Sequence, residues 1–377
     1  MRVVFDARHL QTVSRTRGIG RYSRNLLAAF ARRAPDDIEW TLLTLGTFAA
    51  ADPSPLPPHR TRATVRLRRP ELTMLALDAL LLPVELARQG DLYHSVQLGL
   101  PAVRRVPAVL TIHDLAPLRW PSHYLRLPYA RVGHAWQYAL AKRADAIIAV
   151  SEATKADVVV RLGVAPERIR VIPEAVDVAF DPPSRAAGRA TAQARFGVTG
   201  RYVLYVGQFD PRKNMDGLFA AFARAAERDR DLRLVIAGAL GGLAPLMRAA
   251  LARSRLDPDR VILTGGIDDA TLAALYAGAE CLLHAAWLEG FGLTALEALA
   301  AGTPVVGYRA GAVAEVVGDA GLLVDERDAG ALGEALVTLL GDEGLRARLA
   351  ERATPRAARF SWDRAADDTL SVYRSVR

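Results

Sequence analysis

A single cysteine, Cys281, is all that this chain of 377 residues contains, which excludes a disulfide within it and any cysteine cluster around a metal. Its expected role is that of a small apolar core residue. Long apolar runs are missing too. The longest, 72–87, is interrupted by Asp78, Pro83 and Glu85 and falls short of the roughly 18 uncharged residues that cross a bilayer. The N-terminus runs from Met1 into the strand-like 2–5 without the apolar core and cleavage site of an export signal, so a cytoplasmic location is expected. Three catalytic signatures are absent: Walker A, HExxH and GxSxG. Their absence removes support for P-loop phosphate hydrolysis, zinc proteolysis and serine-hydrolase chemistry. No Asp-x-Asp stands at the carboxyl end of a strand to hold a metal, and no low-complexity tract or short repeat occurs.

What is present describes a folded chain, 51% apolar and 24% charged, long enough for two domains with an interior each. Net charge is +8, and all the excess lies in the first half: residues 1–180 hold 25 Lys and Arg against 16 Asp and Glu, the remainder 24 against 25. The densest cluster is Arg60, Arg62, Arg66, Arg68 and Arg69, just before the apolar segment 72–87. Such a run is either a solvated loop beside a core helix or a dock for an anionic membrane surface. A nucleic-acid partner is not expected, because no aromatics interleave with the arginines and no recognition motif accompanies them.

Short apolar runs alternate with helical patterns throughout. Strands are expected at 3–5, 40–45, 92–94, 109–112 and 146–150, and again at 202–207, 232–237, 261–263, 281–285, 304–308 and 321–324. This rhythm belongs to buried parallel strands separated by helices, hence to two doubly wound α/β domains. The expected division is an N-terminal domain at 1–180, a linker at 181–197 marked by Asp181, Pro182, Pro183, Ser184 and Gly188, a second domain at 198–359, and a tail helix within 360–377 capped by Ser361.

The stretch 289–302, EGFGLTALEALAAG, carries the most chemical information. Gly290 and Gly292 disfavour a helix at its start, so Glu289 should lie on a loop with a helix behind it. Glu289 and Glu297 then stand roughly 10 Å apart, with the unpaired N–H groups of a helix start between them. A nucleotide-sugar has the matching layout: a sugar at one end, a diphosphate in the middle and a ribose at the other. A strand, a turn and a helix with surface glutamates would give the same spacing. Earlier, the strand 202–207 ends at Gly207 and is followed by Pro211-Arg212-Lys213-Asn214, which puts two cations at a sheet rim where ligands bind. In the first half, Gly18-Ile19-Gly20-Arg21-Tyr22 opens a helix and could admit an anion, although as a dinucleotide fingerprint it is weak. His113-Asp114 closes another strand, where a histidine is equally a ligand for a hydroxyl or a structural residue.

Taken together, GIGRY, TIHD, VSEATK, VIPEAVD, YVGQFDPRKN, LYAGAECLLHAAWLEGFGLTALEALAAGTPVV and FSW resemble glycosyltransferase family 4 over nearly the whole chain. The resemblance implies the GT-B fold, two Rossmann-like domains facing across a cleft with the C-terminal helix returning to the first. It implies metal-independent transfer of a hexose, with retention, from a nucleotide-sugar donor to a glycan or lipid-linked acceptor. No cofactor is implied beyond the donor as co-substrate. By the same resemblance Glu289 faces the donor sugar and Glu297 the ribose; Arg212 and Lys213 neutralise the diphosphate, helped by N–H groups around Gly290, Phe291, Gly292 and Leu293. Gly18, Gly20 and Gly207 would line the donor, with His113 and Asp114 on the acceptor side. GIGRY and PRKN look most like mannosyltransferase members, favouring GDP-mannose. The sequence departs from the family at Thr294, Gln208 and Glu174-Ala175, the last standing where Asn-Gly is common. A GT-B epimerase or phosphorylase, or a non-enzymatic binder of anionic surfaces, is the alternative.

Overall fold

The computed structural model describes residues 1–16, 18–45, 56–64, 90–177, 180–208, 210–238, 244–254, 256–325 and 328–377. The chain divides into two units, one of residues 1–174 with 361–377 and one of residues 175–360.

The first unit is built on seven parallel strands in the order β3-β2-β1-β4-β5-β6-β7. These are β1 (Arg2–Asp6), β2 (Glu39–Leu45), β3 (His59–Thr64), β4 (Leu92–Ser95), β5 (Ala108–Ile112), β6 (Ala146–Ala149) and β7 (Ile169–Val171). The central strands β4, β5 and β6 are buried at every position, as strands covered on both faces must be. Two edge strands were not foreseen. β3 carries Arg60 and Arg62, which the sequence suggests as loop residues; charge on an exposed edge strand discourages pairing with another chain. Arg66, Arg68, Arg69 and the apolar segment 72–87 lie outside the described residues.

Helix α1 (Gly18–Arg33) buries Tyr22, Leu26, Leu27 and Phe30, and helix α2 (Pro128–Ala141) buries Gln137, Tyr138, Leu140 and Ala141. The C-terminal helix, Trp362–Ser375, belongs to this unit although it ends the chain. Ser361 caps it, accepting a bond from the Arg364 N–H at 3.4 Å. Trp362 meets Tyr22 edge-on at 5.5 Å, and the Tyr373 hydroxyl lies 2.6 Å from Nδ1 of His94. Arg32–Asp363 and Arg33–Asp367 pairs at 2.6 and 2.7 Å lie outside that packing.

The second unit has six parallel strands in the order β10-β9-β8-β11-β12-β13. They are β8 (Tyr202–Val206), β9 (Arg233–Ala237), β10 (Val261–Gly265), β11 (Cys281–His284), β12 (Val305–Tyr308) and β13 (Gly321–Val324). Cys281 is buried in its core, among Val203, Leu283 and Val306.

The linker expected at 181–197 is instead mostly helix. Residues Arg185–Phe196 form α3, begun by Ser184, whose hydroxyl accepts the Ala187 N–H, and stopped by Gly197 in the left-handed region. It packs on α5 (Asp269–Gly278), with α4 (Met215–Ala226) following β8 nearer the centre of the sheet. The contact is close because a Cβ on Gly188 would stand 2.5 Å from the Ala274 carbonyl oxygen and 2.7 Å from the Gly278 nitrogen. Glu280, buried at the end of that connection, takes ion pairs at 3.0 Å from Arg185 on α3 and from Arg346. Ser184 and Gly188, expected as breakers in a linker, thus act as cap and contact, and Gly197 as stop.

Candidate active site

In each sheet the strand order reverses at its centre, between β1 and β4 in the first and between β8 and β11 in the second, and ligands of open α/β sheets bind beyond the carboxyl ends at such a switch. The two strongest sequence motifs follow β8 and β11. After β8, Asp210 accepts the Arg212 N–H at 3.0 Å and sets a tight turn, Pro211–Lys213; Asn214 then caps α4 by accepting the Gly217 N–H at 3.0 Å. After β11 the chain runs through Trp287, whose N–H bonds the Arg212 carbonyl at 2.8 Å, into Glu289. The two loops are therefore tied together at backbone level.

Their side chains meet on Glu289. Lys213 Nζ donates to Oε1, the His284 ring nitrogen Nε2 lies 3.2 Å from the same oxygen, and Arg212 stands 3.7 Å from Oε2. Burial works against ionising this carboxyl, but Lys213, the hydrogen bond to His284 and Arg212 outweigh it and hold Glu289 well below the usual carboxylate range. Glu289 is therefore a fixed anion and hydrogen-bond acceptor rather than a proton donor. His284 was not singled out from the sequence. Its position, last in β11 and five before Glu289, is the feature that could have exposed it; its Nδ1 is buried and has no partner among the described residues.

Beyond Glu289 the chain turns at Gly292, whose φ of +100° suits a residue without a Cβ, and enters helix α6 (Leu293–Ala300). The N–H groups of Phe291, Gly292 and Leu293 meet no acceptor among the described residues, and they stand where the helix dipole is positive. Glu297, one turn further, is 1% exposed and accepts the Tyr276 hydroxyl at 2.8 Å. Gly207 follows β8 with its N–H already given to the Ala237 carbonyl at 3.0 Å.

The remaining candidates lie in the first unit. His113 follows β5; its Nδ1 is 3.0 Å from the buried carboxylate of Glu174 and its ring sits edge-on to Tyr22 at 4.8 Å. A carboxylate at Nδ1 selects the tautomer with its proton there and leaves Nε2, buried and without a partner among the described residues, as the atom that can accept. The departure from Asn-Gly at 174 thus supplies the partner of the candidate histidine. Asp114 is engaged locally, accepting the Ala116 N–H at 2.9 Å. Gly18 has open space where a Cβ would be, whereas a Cβ on Gly20 would strike the carbonyl oxygens of Ser14 and Arg15 at 2.4 Å. The close approach at Gly20 is made by the chain itself. Among the described residues no group of three or more His, Cys, Asp or Glu side chains could hold a metal ion, and no helix is long and apolar enough to cross a membrane.

Two parallel-sheet Rossmann-like units with these motifs at the second switch point define a GT-B glycosyltransferase. The comparisons agree. The family model Glycosyltransferase Family 4 matches residues 16–180, and Glycosyl transferases group 1 matches residues 189–356. A D-inositol 3-phosphate glycosyltransferase of Salinispora arenicola is 33% identical, over 92% of this chain and 85% of that protein. O-antigen chain mannosyltransferase B of Escherichia coli is 29% identical over 75% of this chain and 74% of that protein. In fold, the chain is similar to sucrose-phosphate synthase of Thermosynechococcus elongatus, with a TM-score of 0.80 at 22% identity over 100% of this chain and 98% of the other. This chain belongs to glycosyltransferase family 4.

Proposed function

We propose that this glycosyltransferase moves a hexose, mannose in the first instance, from a nucleoside-diphosphate sugar to a glycan or lipid-linked acceptor, with retention and without a metal. The observation that carries the reading is the meeting of Arg212, Lys213 and Glu289 beside the open N–H groups of α6. Negative charge grows on the diphosphate as its bond to the sugar C1 breaks, and two cations plus a helix start are suited to stabilise it. Glu289, held ionised, would accept from a hydroxyl of the donor sugar, and Glu297 from the ribose. His113 would accept a sugar hydroxyl through Nε2 with Glu174 behind it, and Asp114 would brace that loop.

In the proposed step the acceptor oxygen bonds to C1 on the face the diphosphate leaves, and its proton passes to the departing phosphate oxygen. No side-chain base is required. GDP-mannose is favoured by the GIGRY and PRKN variants and by the mannosyltransferase among the relatives. A thermal-shift series with GDP, UDP, ADP and their sugars identifies the donor, because a ligand of the folded state raises its stability by mass action. Proton NMR of the product then gives the anomeric outcome, expected to match the donor. An inverted product overturns retention, and conversion of the donor without any acceptor turns the assignment to an epimerase.

A further inference from the structure

GIGRY, TIHD and FSW each hold a residue that the site described above does not use: Tyr22, Thr111 and Trp362. Far apart in the chain, they meet in the first unit. The Tyr22 ring stands edge-on to His113 at 4.8 Å and to Trp362 at 5.5 Å, and its hydroxyl lies 3.3 Å from that of Thr111. From Thr111 the run continues: its Oγ1 is 2.9 Å from His94 Nε2, and His94 Nδ1 is 2.6 Å from the Tyr373 hydroxyl. Trp362 and Tyr373 belong to the same C-terminal helix, about three turns apart, and so share one of its faces. Two arms of that helix thus reach Tyr22, one by ring contact and one by hydrogen bonds.

Packing alone does not require this. Tyr22, Thr111, His94 and Tyr373 are at most 1% exposed, and apolar side chains would fill the same space without burying three hydroxyls and an imidazole. Burial raises the Tyr22 and Tyr373 hydroxyls and lowers His94, so no member carries charge at neutral pH. A buried polar run whose members are paired fixes one arrangement, where apolar side chains of like volume permit several. At its end stands His113, whose imidazole has Glu174 at Nδ1 as its hydrogen-bond partner among the described residues. One such bond leaves the ring free to tilt.

We propose that Tyr22 is a positioning residue for His113, and that the C-terminal helix sets Tyr22 through Trp362 on one side and through Tyr373, His94 and Thr111 on the other. The edge-on ring stops the tilt that the Glu174 bond allows, and so keeps Nε2 on the line along which it would accept a sugar hydroxyl. Tyr22 acts through His113 and not on the substrate. The inference rests on the reading of His113 as the acceptor of that hydroxyl, and it holds whichever sugar is transferred.

The test is nitrogen NMR of the full chain isotope-labelled in histidine, with the His113 signals assigned from H113Q, in the parent, Y22L, Y373F and L370A, each checked by circular dichroism for an intact fold. Leu370 is buried on the same helix and has no place in the run, so L370A loosens the helix without cutting it. In the parent the two His113 nitrogens should be well separated, one bearing the proton and one bare. They should draw together in Y22L as the ring turns and averages, part of the way in Y373F, and not at all in L370A. In release of GDP from GDP-mannose, kcat should fall at least tenfold in Y22L while KM stays within a few-fold of the parent's. Unchanged His113 signals in Y22L or in Y373F overturn the proposal, and an equal change in L370A does so by reducing the effect to stability. Signals that change in Y22L without a change in kcat overturn it too. A parent that releases no GDP counts against the donor reading instead, and the ring signals still decide.

Discussion

At the scale of single residues, the Arg212–Lys213–Glu289 group makes a charge prediction. K213M and E289Q should each lower kcat/KM by about 10²–10³-fold, the size of effect seen when one preorganised group is removed from a developing charge. The far-ultraviolet spectrum should not change. Turnover near normal in both would remove these side chains from the chemistry. His113 allows a finer test through Glu174. In E174Q an amide oxygen still accepts from Nδ1–H, so activity should stay within a few-fold of the parent; E174L leaves a buried N–H without a partner and should cost about 1–3 kcal/mol of stability together with most of the activity. Equal activity in the two would show that the tautomer is immaterial. The site was legible in proportion to how local its pattern is. Glu289, Arg212 and Lys213 lie in short motifs at strand ends, where the sequence alone suggests a ligand. His284 escaped although it stands only five positions before Glu289, because a histidine ending an apolar strand looks in sequence like a core residue, and Glu174 showed only as a departure from the family because its partner His113 is 61 positions away.

At the scale of elements, every central strand was readable from its apolar run, whereas β3, β7 and α3 were not. β3 is an exposed edge rich in arginine and threonine, and β7 has three residues, so neither carries the burial that makes a strand visible. α3 is hidden differently: it buries only Gly188 and Ala192, and small residues at a close helix contact look in sequence like a linker. That contact is testable. G188V puts atoms where the Ala274 and Gly278 backbones already lie and should destabilise the second unit by about 1–3 kcal/mol, the usual cost of overpacking. G197A, at the helix stop with φ near +67° and open space around it, should cost about 1 kcal/mol through backbone strain alone. Denaturant midpoints give both values. A G188V protein as stable as the parent would mean that α3 can leave its seat on α5 without consequence.

On the scale of the molecule, two cores in one chain need not respond to acid alike. The first unit buries two neutral histidines. Burial pushes His9 down to about 4, partly offset by Asp6, with His113 and Arg8 lowering it further. Burial and then His113 push His94 down to about 3, against a small opposing effect of Asp6. His94 is held by the Tyr373 and Thr111 hydroxyls at 2.6 and 2.9 Å, and His9 by Ser23 at 2.6 Å. Unfolded, both titrate near 6.5, so between that value and their folded ones the unfolded chain binds more protons and stability falls as pH falls. Each contributes up to about 1.4 kcal/mol per pH unit across its window, and nothing above pH 6.5. In the second unit Glu289 is a carboxylate with a depressed value, so its stabilisation persists down to about 4.5, the ordinary value, and is lost only below it. Between pH 6 and 5 the first unit should therefore soften while the second holds. Hydrogen exchange read by mass spectrometry over α1 and α6 separates the two responses. H94Q, which takes up no proton, should flatten the loss in α1 without touching α6. Parallel softening of both helices across that interval, or an unchanged slope in H94Q, would show that the buried histidines do not govern the acid response.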